Sequence, residues 1–316
     1  MTALVIVIVA LASLYLVWRV RYGTPPPRWP QVLCFHKISD AFCWEGTWTT
    51  PGRFFGIIDR LLERGCRFVN VDEYLVAIEE LILGDAKGRS NGLTGSDDAK
   101  GRPLLLTFDD GYAELYDLVL PGLESRGVSF HTFLVTDFVG RDNDWDLSLG
   151  RRPFRHLDWR QIEEMSNRGV SFGSHGATHA DLTRLGPDVV RTELVRSKAA
   201  IEDRIGGPIR TLSYPFGRYN NTVSNLARET GYEAAFSLYP SHRNTHFRRY
   251  AIRRNGVYFI DTAALVEAKL SSGPWFWIEE LKCRAINGVA VLTPAFKRLS
   301  RAAPDRSGPQ RPDRDS

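Results

Sequence analysis

The sequence has little cysteine. Cys34, Cys43, Cys66 and Cys283 are the four in 316 residues, and no two form a C-x-x-C pair. That spacing excludes a zinc knuckle and a dense disulfide framework. A lone disulfide stays open, so cysteine usage leaves the redox compartment undecided. Charge of one sign is also scarce. Lys and Arg number 41 against 37 Asp and Glu, a net charge of +4. So small an excess makes no case for nucleic acid as a partner. No internal repeat is present, which excludes solenoids and propellers. With 43% hydrophobic and 25% charged residues the composition is that of a globular chain long enough to bury a core.

One long apolar run stands at the N-terminus. Met1 to Trp18 carries no charged side chain and is almost wholly apolar. About 18–20 such residues span a bilayer core as a helix. Tyr15, Trp18 and Tyr22 sit where interfacial aromatics belong, and Arg19 and Arg21 close the run. A cleaved signal peptide fits less well, because no basic residue precedes the run and no small-x-small site follows it. We therefore expect residues 1–20 to be a single transmembrane anchor. Arg19, Arg21 and Arg28 all follow it, so the positive-inside rule expects the remaining chain on the cytoplasmic side.

Composition divides the rest. Residues 21–30 form a Pro-rich linker, 31–270 a folded domain, and 84–102 a Gly-, Ser- and charge-rich flexible insertion within it. Residues 271–300 are an aromatic and basic segment opening on Pro274-Trp275-Phe276-Trp277-Ile278, expected to pack as a helix on the domain. Residues 301–316 have the composition of a disordered tail.

Within 31–270 short apolar runs alternate with helical periodicity. Strands are expected at 32–35, 68–69, 104–108, 130–135, 170–172, 211–214 and 234–236. Helices are expected at 51–62 (Thr50 cap, Pro51 first), from an Asp72 cap, at 114–126, from an Asp158 cap to Gly169, at 187–205 and at 222–229. Such alternation means βαβ units and a parallel sheet. This many units suit a barrel better than an open sheet. Its chemistry belongs at the C-terminal strand ends.

Polar residues collect at those ends. His36 follows the first strand and Asp109-Asp110-Gly111 the third. His175 and His179 follow the fifth, and Ser213-Tyr214-Pro215-Phe216-Gly217 follows a later one. Each has a bland reading alone, since Asp-Asp-Gly is ordinary turn chemistry. Together, one carboxylate and two imidazoles form a donor set for a borderline divalent ion such as zinc, with positions left for water and substrate. A second carboxylate beside them suits a general base. These parts describe metal-assisted hydrolysis of an amide or ester.

Thr107-Phe108-Asp109-Asp110-Gly111 resembles the first motif of the polysaccharide deacetylases (carbohydrate esterase family 4), and Ser174-His175-Gly176-Ala177-Thr178-His179 resembles their second. Ser213 to Gly217 resembles a variant of the third. The resemblance implies an α/β fold, a distorted, incomplete (β/α) barrel. It implies Asp109 as general base, Asp110, His175 and His179 as ligands of a divalent metal such as Zn2+, and backbone near Tyr214 holding the oxyanion. It implies an N-acetylated glycan as substrate. Two departures stand out. The third motif lacks its customary base-orienting Arg, for which Arg253 or Arg254 is a substitute. No late acid histidine is evident: His242 and His246 lie in a polar run and read as surface residues. Cys34-Phe35-His36-Lys37 resembles the exopolysaccharide-type members, whose acid histidine comes early, which makes His36 the expected general acid. A carboxylate neighbour would hold it protonated near neutral pH. His131, inside a strand, and His156, in a loop, receive no role. With a membrane anchor, the alternative is a deacetylase or deformylase of a lipid-linked sugar. A non-catalytic carbohydrate-binding relic is the other alternative, against which the intact Asp109, Asp110, His175 and His179 argue.

Overall fold

The computed structural model describes residues 30–41, 46–86, 101, 103–143, 154–238 and 248–270, with Ser13 and Lys282. The expected anchor, linker, aromatic segment and tail, and His242 and His246, lie outside these residues apart from Ser13, Pro30 and Lys282. No described helix is long and apolar enough to cross a membrane.

The chain builds one parallel sheet curved into a nearly closed barrel. Its strands are β1 (Gln31–Phe35), β4 (Arg67–Val69), β5 (Pro103–Phe108), β6 (His131–Leu134), β7 (Ser171–Ser174), β8 (Thr211–Ser213), β9 (Ala234–Ser237), β10 (Ile252–Arg253) and β11 (Asn255–Gly256). Their spatial order is β10-β9-β8-β7-β6-β5-β1-β11, with β4 beside the first half of β5. β10 and β11 are halves of one extended segment. Its first half pairs with β9 and its second with β1. The sheet meets itself there, and Arg254 is the residue at which the segment changes partner. A small second sheet joins β2 (Lys37–Ile38) to β3 (Trp48–Thr49) just past β1.

Helices cover the outside. They are α1 (Pro51–Glu63), α2 (Val71–Ala86), α3 (Leu120–Glu124), α4 (Trp159–Asn167), α5 (Pro187–Ile205), α6 (Asn221–Glu229) and α7 (Ala263–Leu270). Thr50 caps α1 by accepting from the Arg53 amide, with Pro51 at the first position as the sequence suggests. Asp158 and Gln161 form a capping box on α4. At α2 the cap is not Asp72. Asn70 Oδ1 accepts from the Glu73 amide while Glu73 Oε2 accepts from the Asn70 amide, which starts the helix two residues earlier. The helix expected over 114–126 is present to Glu124, its first part a π turn at Leu115–Val119 that runs into α3, with Pro121 in the first turn of α3. α2 continues to Ala86, into the first residues of the expected insertion, and residues 87–100 lie outside the described part. The strand pair β10 and β11 was not expected, because two-residue pairings broken by three polar side chains leave no apolar periodicity to read.

Two apolar layers hold the barrel. Phe54, Ile57, Ile58 and Leu61 of α1 join Leu194 and Ile201 of α5 and the outward faces of the strands in one cluster. Val32, Leu105, Phe133, Ala234, Phe236 and Ile252 form the other, with Tyr74 and Ile78 of α2. Tyr74 donates to the Pro30 carbonyl at the start of β1, so α2 covers the N-terminal mouth of the barrel. The opposite mouth is left for polar groups. Gly173 in β7 shows how tight the interior is. A Cβ there would stand 2.5 Å from Thr211 Oγ1 and 2.7 Å from the Phe133 ring. Gly173→Ala should therefore cost about 1–3 kcal/mol through overpacking, read as a lower midpoint in thermal unfolding. An unchanged midpoint would show that the interior gives way.

Candidate active site

Strand ends bring the expected residues together. Asp109 follows β5, His175 follows β7, Ser213 ends β8, and His36 follows β1. His179 is four residues beyond His175 in the next turn. His175 Nε2 lies 3.6 Å from Asp110 Oδ1, and His179 Nε2 lies 3.4 Å from the same oxygen. A tetrahedral zinc with ligands at about 2.0–2.1 Å keeps them roughly 3.3 Å apart, so this triangle has the span of a metal site. Asp110, His175 and His179 form one of two such groupings among the described residues. Burial pushes both imidazoles below the ordinary histidine range, so they stand neutral with lone pairs available. The Ser213 carbonyl lies 2.8 Å from His175 Nδ1, which fixes the proton there and leaves Nε2 toward Asp110.

Backbone strain concentrates at the same place. Asp110 (φ 70°), His179 (φ 59°) and Phe216 (φ 58°) are the non-glycine residues with positive φ among those described. Side chains with a Cβ avoid this region, and folds that retain it do so where the geometry is used. Here it sets two metal-ligand candidates and the ring that packs on one of them, Phe216 lying 4.7 Å from His179 between centroids. Gly217 completes that turn at φ 66°, with no room for a side chain against Leu238.

Asp109 stands beside this triangle, its Oδ2 3.8 Å from His175 Nε2. Both its oxygens accept from Arg254, Nη1 and Nη2 each at 2.7 Å, and the whole pair is buried. Arg254 Nη2 also donates to Ser213 Oγ at 2.8 Å. Of the two arginines the sequence offers, the structure selects Arg254. It enters from the barrel seam and reaches the ground that the serine at 213 leaves free. Burial alone would raise the Asp109 carboxyl, but Arg254 holds it well below the usual carboxylate range.

His36 Nε2 lies 3.8 Å from Asp109 Oδ2, on the more open side of the site. Its charge differs from expectation. Burial outweighs the carboxylate and pushes it down to about 4, so it is neutral at pH 7. Tyr214 also departs from expectation. Its amide donates to the Phe236 carbonyl in the β8–β9 ladder and its hydroxyl to the Tyr250 carbonyl, so it has no donor for an oxyanion. Pro215 has no N–H, which makes Phe216 the next amide in the turn.

Sequence reasoning gave no role to several residues that support this site. His156 Nδ1 lies 2.8 Å from the Asp110 carbonyl, and its ring stacks on Tyr112. His131 sits inside the barrel between the hydroxyls of Ser171 and Thr211, each at 2.8 Å. Cys34 Sγ lies 3.6 Å from Asp109 Oδ2. Only their adjacency in the fold reveals these contacts.

Residues 96–235 match the family model described as polysaccharide deacetylase. The chain is 29% identical over 151 residues to a putative polysaccharide deacetylase, YxkH, of Bacillus subtilis, covering 48% of this chain and 50% of that one. It is 26% identical over 149 residues to the poly-beta-1,6-N-acetyl-D-glucosamine N-deacetylase of Staphylococcus epidermidis, covering 43% of this chain and 48% of that one. The chain thus spans about half the length of these relatives. Among solved structures, the Streptococcus pyogenes deacetylase PplD superposes with TM-score 0.59 at 22% identity, over 75% of this chain and 96% of that one. IcaB from Ammonifex degensii gives 0.59 at 23%, over 75% and 95%. At these identities the superpositions establish the barrel fold.

Two measurements check the electrostatics. Arg254→Leu strands a buried carboxylate and should cost about 3–5 kcal/mol, part of which returns when Asp109→Ala is added. Additive losses would mean that the two groups are not coupled. The pH dependence follows from the histidines. His36 is lowered to about 4 and His131 to about 3, so the unfolded chain takes up their protons first as pH falls below about 6.5. Their stabilising effect is complete above that pH and is lost toward pH 4 and below. In metal-free protein His131→Leu should flatten the slope of unfolding free energy between pH 6 and 4.5 by up to about 1.4 kcal/mol per pH unit. An unaltered slope would contradict the burial assigned to His131.

Proposed function

From the premise that this chain belongs to the polysaccharide deacetylase family, through residues 96–235, we propose that it is a metal-dependent hydrolase removing N-acetyl groups from amino sugars of a glycan. The observation that carries this reading is the division between neighbouring aspartates. Asp110 converges with His175 and His179, while Asp109, 3.8 Å from His175 Nε2, has both oxygens engaged by Arg254. The first three residues would hold a divalent ion, zinc fitting the donor set and its span. Such an ion polarises the amide carbonyl and acidifies a water at neutral pH.

The other steps belong to the protein. Asp109 accepts the proton of the attacking water, with Arg254 and Ser213 fixing the direction of its lone pairs. Water then adds to the carbonyl carbon, and the Phe216 amide steadies the oxygen that gains charge. The amide nitrogen must be protonated before it leaves, since an amide anion is a poor leaving group. His36, neutral at rest and 3.8 Å from Asp109, passes that proton to the nitrogen. Its low basicity suits this order, because a weakly held proton transfers readily to an amine. The C–N bond then breaks to acetate and a free amino sugar. The poly-N-acetylglucosamine deacetylase among the relatives supports a β-linked N-acetylated polymer as substrate.

We further propose that the apolar run Met1 to Trp18 tethers the domain to a membrane, with Arg19, Arg21 and Arg28 setting its cytoplasmic orientation. Protease added to intact spheroplasts should then leave the domain whole; digestion before lysis would reverse the orientation.

Metal content and turnover test the roles together. Asp110→Ala and His179→Ala should lose most bound zinc by elemental analysis. Asp109→Asn should keep the zinc and lose acetate release from an N-acetylated oligosaccharide. His36→Ala should keep the zinc and lower turnover roughly 10²–10⁴-fold, with a smaller loss on an activated aryl acetate whose leaving group needs little protonation. Full zinc in the Asp110 and His179 variants, or near-normal turnover in Asp109→Asn, would overturn the assignments.

A further inference from the structure

Large apolar side chains exposed on the described residues fall into two groups. Leu62, Val76, Leu83, Val189, Val195 and Leu265 lie on the outer helices. Phe259 (39% exposed) and Ile260 (42%) instead lie on the segment that follows β11. That segment leaves the C-terminal end of a barrel strand, the end that carries the active site.

Its backbone is held in place. The Val257 amide donates to the Cys34 carbonyl at 2.9 Å, and the Phe259 amide to the Gly46 carbonyl at 3.1 Å. Arg53 of α1 donates to the Phe259 carbonyl. The Phe259 ring lies parallel to Trp48, with centroids 6.0 Å apart and planes 6° apart. Trp48 is paired across the β2–β3 ladder with Lys37, the residue after His36. An aromatic pair thus stands at the β2–β3 ladder just past β1, one residue along the backbone from the expected proton donor, on backbone pinned from two sides.

We propose that Trp48 and Phe259 form a sugar-stacking subsite for a unit of the glycan next to the one that loses its acetyl group. The proposal rests on the deacetylase reading above and names where its polymer extends. The chemistry fits a pyranose ring. A β-linked sugar with equatorial hydroxyls presents a face of C–H bonds, which packs on an aromatic face with its hydroxyls toward water. A fixed, partly exposed ring pair suits that contact, because little side-chain freedom is lost on binding. Continuity with the active-site rim selects a substrate unit as the occupant: a polymer seated with one residue over Asp109 and His36 must leave the cleft across its edge.

The test is substrate length. With zinc-loaded full chain, kcat/KM should rise from N-acetylglucosamine to its β-linked tetrasaccharide, and Phe259→Ala should shrink that ratio about tenfold, chiefly through KM on the longer substrate. Phe259→Tyr should restore most of it, which separates a stacking role from a folding defect. A ratio that stays at its original value in Phe259→Ala would overturn the subsite, as would one that falls equally in the Tyr variant. Isothermal titration of the tetrasaccharide into zinc-loaded Asp109→Asn, with and without Phe259→Ala, keeps the two readings apart. Binding that weakens on Phe259→Ala supports the subsite even where no acetate is released, which would count against the deacetylase reading alone. If the length ratio holds while Phe259→Ala lowers binding to phosphatidylglycerol vesicles, the ring pair serves a membrane surface and the proposal fails.

Discussion

The fold turns on one buried ion pair, the two parallel hydrogen bonds between Arg254 and Asp109. A charge taken into a barrel interior must be matched by an opposite charge and by enough hydrogen bonds. Arg254 meets that demand with a planar fork that fits a carboxylate edge to edge. It enters from the residue at which the closing segment changes partners from β9 to β1. Barrel closure and the setting of the general base are therefore one event. A lysine at the same position would supply charge without the fork and leave the carboxylate free to rotate.

From this pair the chemistry separates along the chain. Asp109 continues the β5 strand and stays in the interior. Asp110 takes a left-handed conformation and turns its carboxylate to the two imidazoles. One peptide step thus divides a base from a ligand, and Gly111 follows at positive φ with Leu134 pressed against it. The strain is local and paid for by the packed strands on either side. A second strained position, His179, brings an imidazole back toward the same point from the turn after β7. The site is defined by backbone conformation as much as by side-chain identity.

Much of this could be read from the sequence. The apolar runs at 32–35 and 104–108 mark strands because buried parallel strands need both faces apolar. The two aspartates and the histidines 175 and 179 are legible because few other uses place such residues after two strands of one sheet. Other parts could not be read. β10 and β11 are held by pairing partners 16 and 222 residues away in sequence, which no local pattern reports. For the same reason the sequence left Arg253 and Arg254 equivalent. Which one enters the barrel depends on strand register, and a shift of one residue exchanges inside for outside. The charge of His36 was misjudged because a carboxylate neighbour is visible in a motif while burial is not. Tyr214 was misjudged because its amide is spent in a ladder whose partner, β9, cannot be inferred at that resolution from sequence.

The most direct test of this division of labour is anomalous scattering from crystals of the zinc-loaded domain. The account predicts one ion within about 2.0–2.2 Å of Asp110, His175 and His179, with Asp109 outside the coordination shell and still bridged by both Arg254 nitrogens. An ion seated instead on Cys34, His36 and Asp109, the other grouping of potential ligands, or an Asp109 swung from Arg254 onto the metal, would contradict it.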